Sequence, residues 1–238
     1  MLDVFDDFDA MSRAAAELFA DRARQAVRAR GRFAAALAGG STPTHTYELL
    51  CRQPHRERIP WEDVHIFWGD ERCVAADDPR SNQHMARQAF LDAMPAQIHP
   101  IDGALAPDVA ALKYESELRA FAHGDAGFLD LVLLGLGEDG HTASLFPGDA
   151  ALNEAQRWVL PVAPTPNRLA RITLTPPIIN HARQIVFLVS GSSKADILRR
   201  VLEGQGNEDV LPARRIQPTS GELRWMVERK AAANLAGR

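Results

Sequence analysis

The chain has 238 residues, of which 46% are apolar, enough for a sizeable core. Its 27 basic and 31 acidic residues leave a net charge of −4, which excludes a general basic field for nucleic acid. No apolar run approaches the ~20 residues of a membrane span, and two cysteines, Cys51 and Cys73, are too few for a secreted disulfide framework.

The opening MLDVFDDFDAMSR is acidic and lacks a signal peptide's basic start and apolar core. A cytoplasmic protein with buried free thiols is expected. Residues 9–30 carry Met11, Ala15, Leu18, Phe19, Ala23, Ala26 and Val27 at mostly helical spacing, and Gly31 stops that helix. The apolar run 33–38 ends in Gly39-Gly40-Ser41-Thr42-Pro43. Thr42 suits the cap of a helix whose first position is Pro43, with Tyr47, Leu49 and Leu50 buried. A strand over 64–68 ends in Gly69-Asp70-Glu71-Arg72. A polar loop, 77–82, then precedes helices over 83–94 and 109–122. The strand 130–134 ends in Gly135-Leu136-Gly137-Glu138-Asp139-Gly140-His141. Strands are predicted over 158–162, 171–174 and 184–189, the last ending in Ser190-Gly191-Ser192-Ser193-Lys194. A helix over 195–202, a surface loop over 204–209 and a last helix from about 222 to 235 complete the chain.

Continuous apolar strands alternating with helices indicate a parallel sheet covered on both faces. The expected class is α/β: a mostly parallel open sheet, a Rossmann-like three-layer sandwich with a small additional subregion, forming one domain over 1–238. Ligands of such sheets gather at the carboxyl ends of the strands. Parallel strands would bring GGST, GDER, GLGEDGH and SGSSK to one edge.

Each loop has more than one reading. Gly135, Gly137 and Gly140 match G-x-G-x-x-G, yet Glu138 and Asp139 would repel a pyrophosphate, and no acid ends the next strand to meet a ribose. A plain glycine-rich turn before a helix is the second reading. The third uses His141: glycines let the backbone approach a ligand, and an imidazole of ordinary pKa ~6.5 accepts a proton near neutral pH. Asp139 would orient that ring or raise its pKa. None of the other histidines forms an H-E-x-x-H pair, and no Cys–His spacing suggests zinc, so no metal is expected. Gly39, Gly40, Ser41 and Thr42 offer backbone N–H groups and hydroxyls to a phosphate, or form an ordinary capped helix start. Lys194 lies where a helix dipole opposes a cation, which suggests an anion to meet. Arg72 is a second cation, or the ion-pair partner of Asp70 or Glu71. Asp70 is a base, a hydroxyl acceptor or that partner; Glu71 reads as a solvated surface charge. Arg171 reaches the same edge or stays at the surface.

Taken in order, GGSTP, WGDERCV followed by RSN, GLGEDGHTASLFPG, RITLTPPIIN and FLVSGSSKA resemble the 6-phosphogluconolactonase family, within the fold group of glucosamine-6-phosphate deaminase and ribose-5-phosphate isomerase. The likeness runs from about Phe33 to the C-terminal segment. It implies hydrolysis of a phosphosugar lactone, 6-phosphoglucono-δ-lactone, to 6-phosphogluconate in the oxidative pentose phosphate pathway. It implies His141 as general base, Asp139 as its supporting acid, and the GGST loop with Lys194 as the phosphate site. Arg72 is a further contact to the anionic substrate, with Asp70 and Arg171 as substrate-side candidates. No cofactor, no nucleic acid and no membrane are implied; a monomer or weak dimer is expected. Related deaminases close the DGH loop with Asn-Glu-Pro-Gly, whereas Phe146 of Leu145-Phe146-Pro147-Gly148 cannot relay protons. Same-fold isomerases or deaminases and a non-catalytic sugar-phosphate sensor are the alternatives. Two departures stand out: Ala75 and Ala76 replace common prolines, and Trp225-Met226-Val227-Glu228 replaces Trp-x-x-Asp. Neither is expected to touch the chemistry.

Overall fold

A computed structural model describes residues 1–204 and 211–236. In chain order its elements are β1 (Leu2–Phe5), α1 (Phe8–Arg30), β2 (Phe33–Leu37), α2 (Ser41–Leu50), α3 (His55–Arg58), β3 (Val64–Trp68), β4 (Asp70–Arg72), α4 (Asn82–Ala89), β5 (Gln97–Ile98), α5 (Pro107–Ala122), β6 (Leu131–Leu134), β7 (Val159–Val162), β8 (Arg171–Leu174), α6 (Pro176–Asn180), β9 (Gln184–Val189), α7 (Ala195–Glu203) and β10 (Glu222–Glu228).

Local chemistry sets the first unit. Asp7 caps α1 by accepting the Ala10 N–H at 2.7 Å, and Gly31 ends it in the left-handed region at φ 72°. Gly31 then returns its N–H to the Val27 carbonyl at 2.8 Å. The buried stripe of α1, including Met11, Ala15, Phe19 and Ala23, packs against β2 and β10. All of β2 is buried, as are β6 and β9, so these strands are covered on both faces.

Seven strands form one parallel sheet in the order β1-β10-β9-β6-β2-β3-β5. After β2 the chain moves to β3 on one side; after β6 it moves to β9 on the other. The neighbours β2 and β6 therefore flank a topological switch point, where the crevice at the strands' carboxyl ends receives ligands. Leu37 stands opposite Trp68 and Leu134 opposite Phe187, so the loops that follow all leave from that edge. A second sheet, β4-β8-β7, is antiparallel and sets Arg72 opposite Arg171 and Asp70 opposite Thr173.

Several elements differ from the sequence reading. The segment 222–228 is the strand β10, not a helix: Trp225 stacks on Phe187 at 3.9 Å between ring centroids, and the run pairs in parallel with β9 and β1. GDER is not only a loop, because Asp70–Arg72 is the strand β4. β1, ahead of the first predicted strand, is a half-buried edge strand. The helix predicted over 83–94 is α4 followed by a 3₁₀ turn, Leu91–Ala93. α2 begins at Ser41 with Gly40 as its cap, so Thr42 is inside the helix and makes no cap. Cys51 and Cys73 are free but half-buried rather than buried. The loop predicted over 204–209 lies, beyond Gly204, outside the described residues. No described helix is long and apolar enough to cross a membrane.

Candidate active site

The four predicted loops converge on one cleft of about 270 Å³. It is lined by Gly39, Gly40, Ser41, Thr42, Asp70, Arg72, His141, Arg171 and Lys194. Asp139 alone of the sequence candidates does not line it and stands behind the histidine.

Glycine geometry builds the His141 loop. Gly140, at φ 83°, allows the tight turn in which its N–H reaches the Gly137 carbonyl at 3.0 Å. Gly137 donates to the His141 carbonyl at 2.8 Å, and a Cβ on Gly137 would lie 2.0 Å from His141 Nδ1. The Thr142 hydroxyl donates to the Gly135 carbonyl at 2.9 Å, pinning the loop to the end of β6. No helix follows. The chain enters a turn bridged between Thr142 and Leu145, with Ala143 at φ 48°. The readings as a dinucleotide loop and as a turn before a helix both need that absent helix.

The imidazole is held from two directions. Asp139 Oδ1 faces His141 Nδ1 at 2.5 Å and accepts the His141 backbone N–H at 3.1 Å. Phe146 packs against the ring at 4.5 Å between centroids. With Nδ1–H given to the carboxylate, the lone pair belongs to Nε2, which has no protein partner among the described residues. Partial burial pushes the Asp139 carboxyl upward, but the His141 N–H and the facing imidazole outweigh it and hold the carboxyl below its ordinary range.

The same cleft is lined by cations. The N-terminus of α2 opens at Gly40, φ 97°, and the Thr42 and Ser190 hydroxyls share a hydrogen bond of 2.9 Å that ties the GGST and SGSSK loops together. Lys194 closes the 3₁₀ turn Ser192–Lys194 ahead of α7, and its Nζ is 3.9 Å from the exposed Glu138 carboxylate. Arg72 has no carboxylate partner among the described residues, so the alternative ion pair with Asp70 or Glu71 is not formed. Its Nη1 donates instead to the Arg80 carbonyl at 2.8 Å and to Asn82 Oδ1. Arg171 does reach this edge. Its Nη1 is 3.4 Å from both Asp70 Oδ2 and Ser144 Oγ, while its Nε is buried without a partner. Burial pulls the Arg171 guanidinium below its ordinary value, against the opposing charge of Asp70. Asp70 is buried and accepts from Ser144 Oγ at 2.6 Å.

Four residues that the sequence did not mark as site residues shape it. Glu71 is 1% exposed, not a surface charge; it accepts from the backbone N–H groups of Arg72, Asn82 and Gln83 and from the Ser81 hydroxyl, at 2.7–2.9 Å. Asn82 bridges Arg72 and Asp70, and the tripeptide RSN was its only trace in the sequence. Ser144 ties the histidine loop to Asp70. Glu228, at the end of β10, accepts the Gly191 N–H at 2.8 Å, so this departure does reach the SGSSK loop. Among the described residues no group of three or more His, Cys, Asp or Glu side chains is arranged to hold a metal ion.

The family described as glucosamine-6-phosphate isomerases/6-phosphogluconolactonase matches residues 6–225. A 6-phosphogluconolactonase of Synechocystis sp. is 45% identical over 221 residues, covering 90% of this chain and 89% of that protein. One of Nostoc sp. is 40% identical, covering 99% and 98%. The structure of 6-phosphogluconolactonase from Trypanosoma cruzi superposes with a TM-score of 0.86 at 30% identity, over 99% of this chain and 96% of that one.

Proposed function

The chain belongs to the glucosamine-6-phosphate isomerase/6-phosphogluconolactonase family, and on that premise we propose that it hydrolyses 6-phosphoglucono-δ-lactone to 6-phosphogluconate in the oxidative pentose phosphate pathway. One observation carries the catalytic reading. An imidazole with a free Nε2 and a carboxylate behind it shares a single cleft with a helix N-terminus, two hydroxyls and three cations, of which Arg72 has no carboxylate partner among the described residues.

His141 Nε2 takes a proton from water as the oxygen attacks C1 of the lactone. Asp139 keeps the Nδ1–H tautomer and stabilises the imidazolium that forms. The C1 oxyanion is met by Arg72 or by backbone N–H groups of the glycine loops. The C1–O bond of the ring then breaks, and the imidazolium returns its proton to the departing ring oxygen. Gly39, Gly40, Ser41, Thr42 and Lys194 hold the phosphate at the far end. Asp70 and Arg171, linked through Ser144, line the space between and suit the sugar hydroxyls. Phe146 packs on the imidazole where a deaminase would need a proton-carrying acid, which favours hydrolysis over ring-opening deamination.

The two free thiols suit a reducing compartment, the cytoplasm, and we expect one catalytic domain over 1–238 that works as a monomer or weak dimer. The test is acid release in a pH-stat from freshly made lactone, run beside ammonia release from glucosamine 6-phosphate. Acid release well above the spontaneous rate, without ammonia, is expected; ammonia without acid would overturn the reading.

A further inference from the structure

We infer that Asn82 is a positioning residue of the cleft, the side chain that aims the Arg72 guanidinium at the substrate anion; this rests on the lactonase reading above. Asn82 is the first residue of α4 and is 1% exposed. Its Oδ1 accepts from Arg72 Nη1, and its Nδ2 donates to the Asp70 carbonyl at 2.8 Å and to Asp70 Oδ1 at 3.2 Å. The amide has one workable orientation: flipped, it would set N–H against guanidinium and oxygen against two oxygens. It also abuts the GGST loop, since a Cβ on Gly39 would lie 1.8 Å from Asn82 Oδ1. One neutral side chain thus ties the two ends of β4 together and packs against the loop after β2.

The backbone around it is fixed independently. The Glu71 carboxylate accepts the N–H of Arg72 at 2.7 Å and the N–H of Asn82 at 2.8 Å, stapling the two main-chain segments together. Glu71 therefore sets where Arg72 begins, and Asn82 sets where it ends. Both acceptors of the guanidinium, Asn82 Oδ1 and the Arg80 carbonyl, are uncharged. Neutral oxygens direct an arginine without cancelling its charge, so the full charge remains to meet an anion. Asp70, by contrast, is also held by Ser144 and Arg171, so its orientation survives loss of Asn82. The effect of Asn82 consequently passes through Arg72.

The experiment is a cycle of wild type, Asn82→Ala, Arg72→Ala and the double variant, with Asn82→Asp alongside. Each is checked by thermal melting. Each is assayed for lactone hydrolysis and, by calorimetry, for binding of 6-phosphogluconate. Asn82→Ala should lower kcat/KM about 10- to 100-fold, the scale of a misaimed group. In the Arg72→Ala background the same change should cost less than about twofold, because the group it aims is gone. Asn82→Asp keeps an oxygen under Arg72 but neutralises it, and should weaken 6-phosphogluconate binding about tenfold or more. Should the alanine variant fail to melt cooperatively, Asn82→Ser, whose short neutral side chain suits a helix start and cannot reach Arg72 as the amide does, carries the same cycle. An undiminished loss in the Arg72→Ala background, or wild-type binding and turnover by Asn82→Asp, would overturn the inference. An inactive wild type that still binds 6-phosphogluconate would instead sink the lactonase reading, and the binding cycle would still judge Asn82.

Discussion

Gly137→Ala isolates the placement of the catalytic imidazole from everything else in the cleft. A Cβ at that position would lie 2.0 Å from His141 Nδ1 and 2.2 Å from Cε1. Ordinary contact begins near 3.4 Å, so the ring must retreat by about 1.4 Å, the gap between those distances. The clash is with a partly exposed side chain rather than with backbone, and Gly137 is not among the positive-φ glycines. The fold therefore has a cheap escape: the ring swings outward and leaves Asp139. A reacting group misplaced by ~1 Å costs about 10²-fold in rate. We expect kcat to fall about 100-fold, with KM and the melting temperature near their wild-type values, because the phosphate site is untouched. Initial rates in a pH-stat across lactone concentrations read both parameters. A wild-type kcat for Gly137→Ala would refute the claim that the position of His141 sets the rate. A collapse of the melting temperature would refute the claim that the ring alone absorbs the strain.

Three further perturbations probe other parts. Asp139→Asn should lower kcat by about 10- to 100-fold, less than loss of the base itself, because Asp139 is half-exposed and water partly replaces it; an unchanged kcat would deny Asp139 its supporting role. Lys194→Gln should raise KM about 10- to 100-fold with kcat little changed, the weight of one charge-assisted hydrogen bond to an anion; steady-state kinetics decide it. The third concerns stability. Burial, with neighbouring His99 and Arg32, lowers the His65 imidazole to about 4 from 6.5. The unfolded chain therefore binds a proton that the folded protein refuses across that window, and stability falls as pH drops from about 6.5 towards about 4. Thermal melts should show His65→Gln flattening that decline; an equally steep decline would show that His65 does not drive it.

The strands that carry the loops were legible because each is a continuous apolar run stopped by glycine or a small polar residue. The strands over 64–68, 171–174 and 184–189 are found where the sequence puts them. β10 was not legible: Leu223, Trp225 and Val227 alternate as in a strand, but the alanine-rich tail that follows extends the apolar spacing into a helical pattern. The convergence of GGST, GDER, GLGEDGH and SGSSK followed from parallel topology alone. The partners inside the cleft did not, because they are set by contacts distant in the chain. Thr42 looked like a helix cap, yet its hydroxyl is satisfied by Ser190, 148 positions away. Glu71 looked like a surface charge because nothing local shows that the start of α4 folds over it. Arg72 looked like half of an ion pair because adjacent acids suggested one, whereas its acceptors are neutral oxygens brought by Arg80 and by the first residue of α4.

His141→Gln, measured for turnover and for 6-phosphogluconate binding on the same preparation, tests the central claim most directly. Glutamine can hold a water molecule but cannot accept its proton. Turnover of the lactone should fall by about 10²–10⁴-fold while product affinity stays within about threefold of wild type. Hydrolysis at the wild-type rate, or loss of binding in step with turnover, would contradict a cleft in which one imidazole does the chemistry and separate cationic groups hold the phosphate.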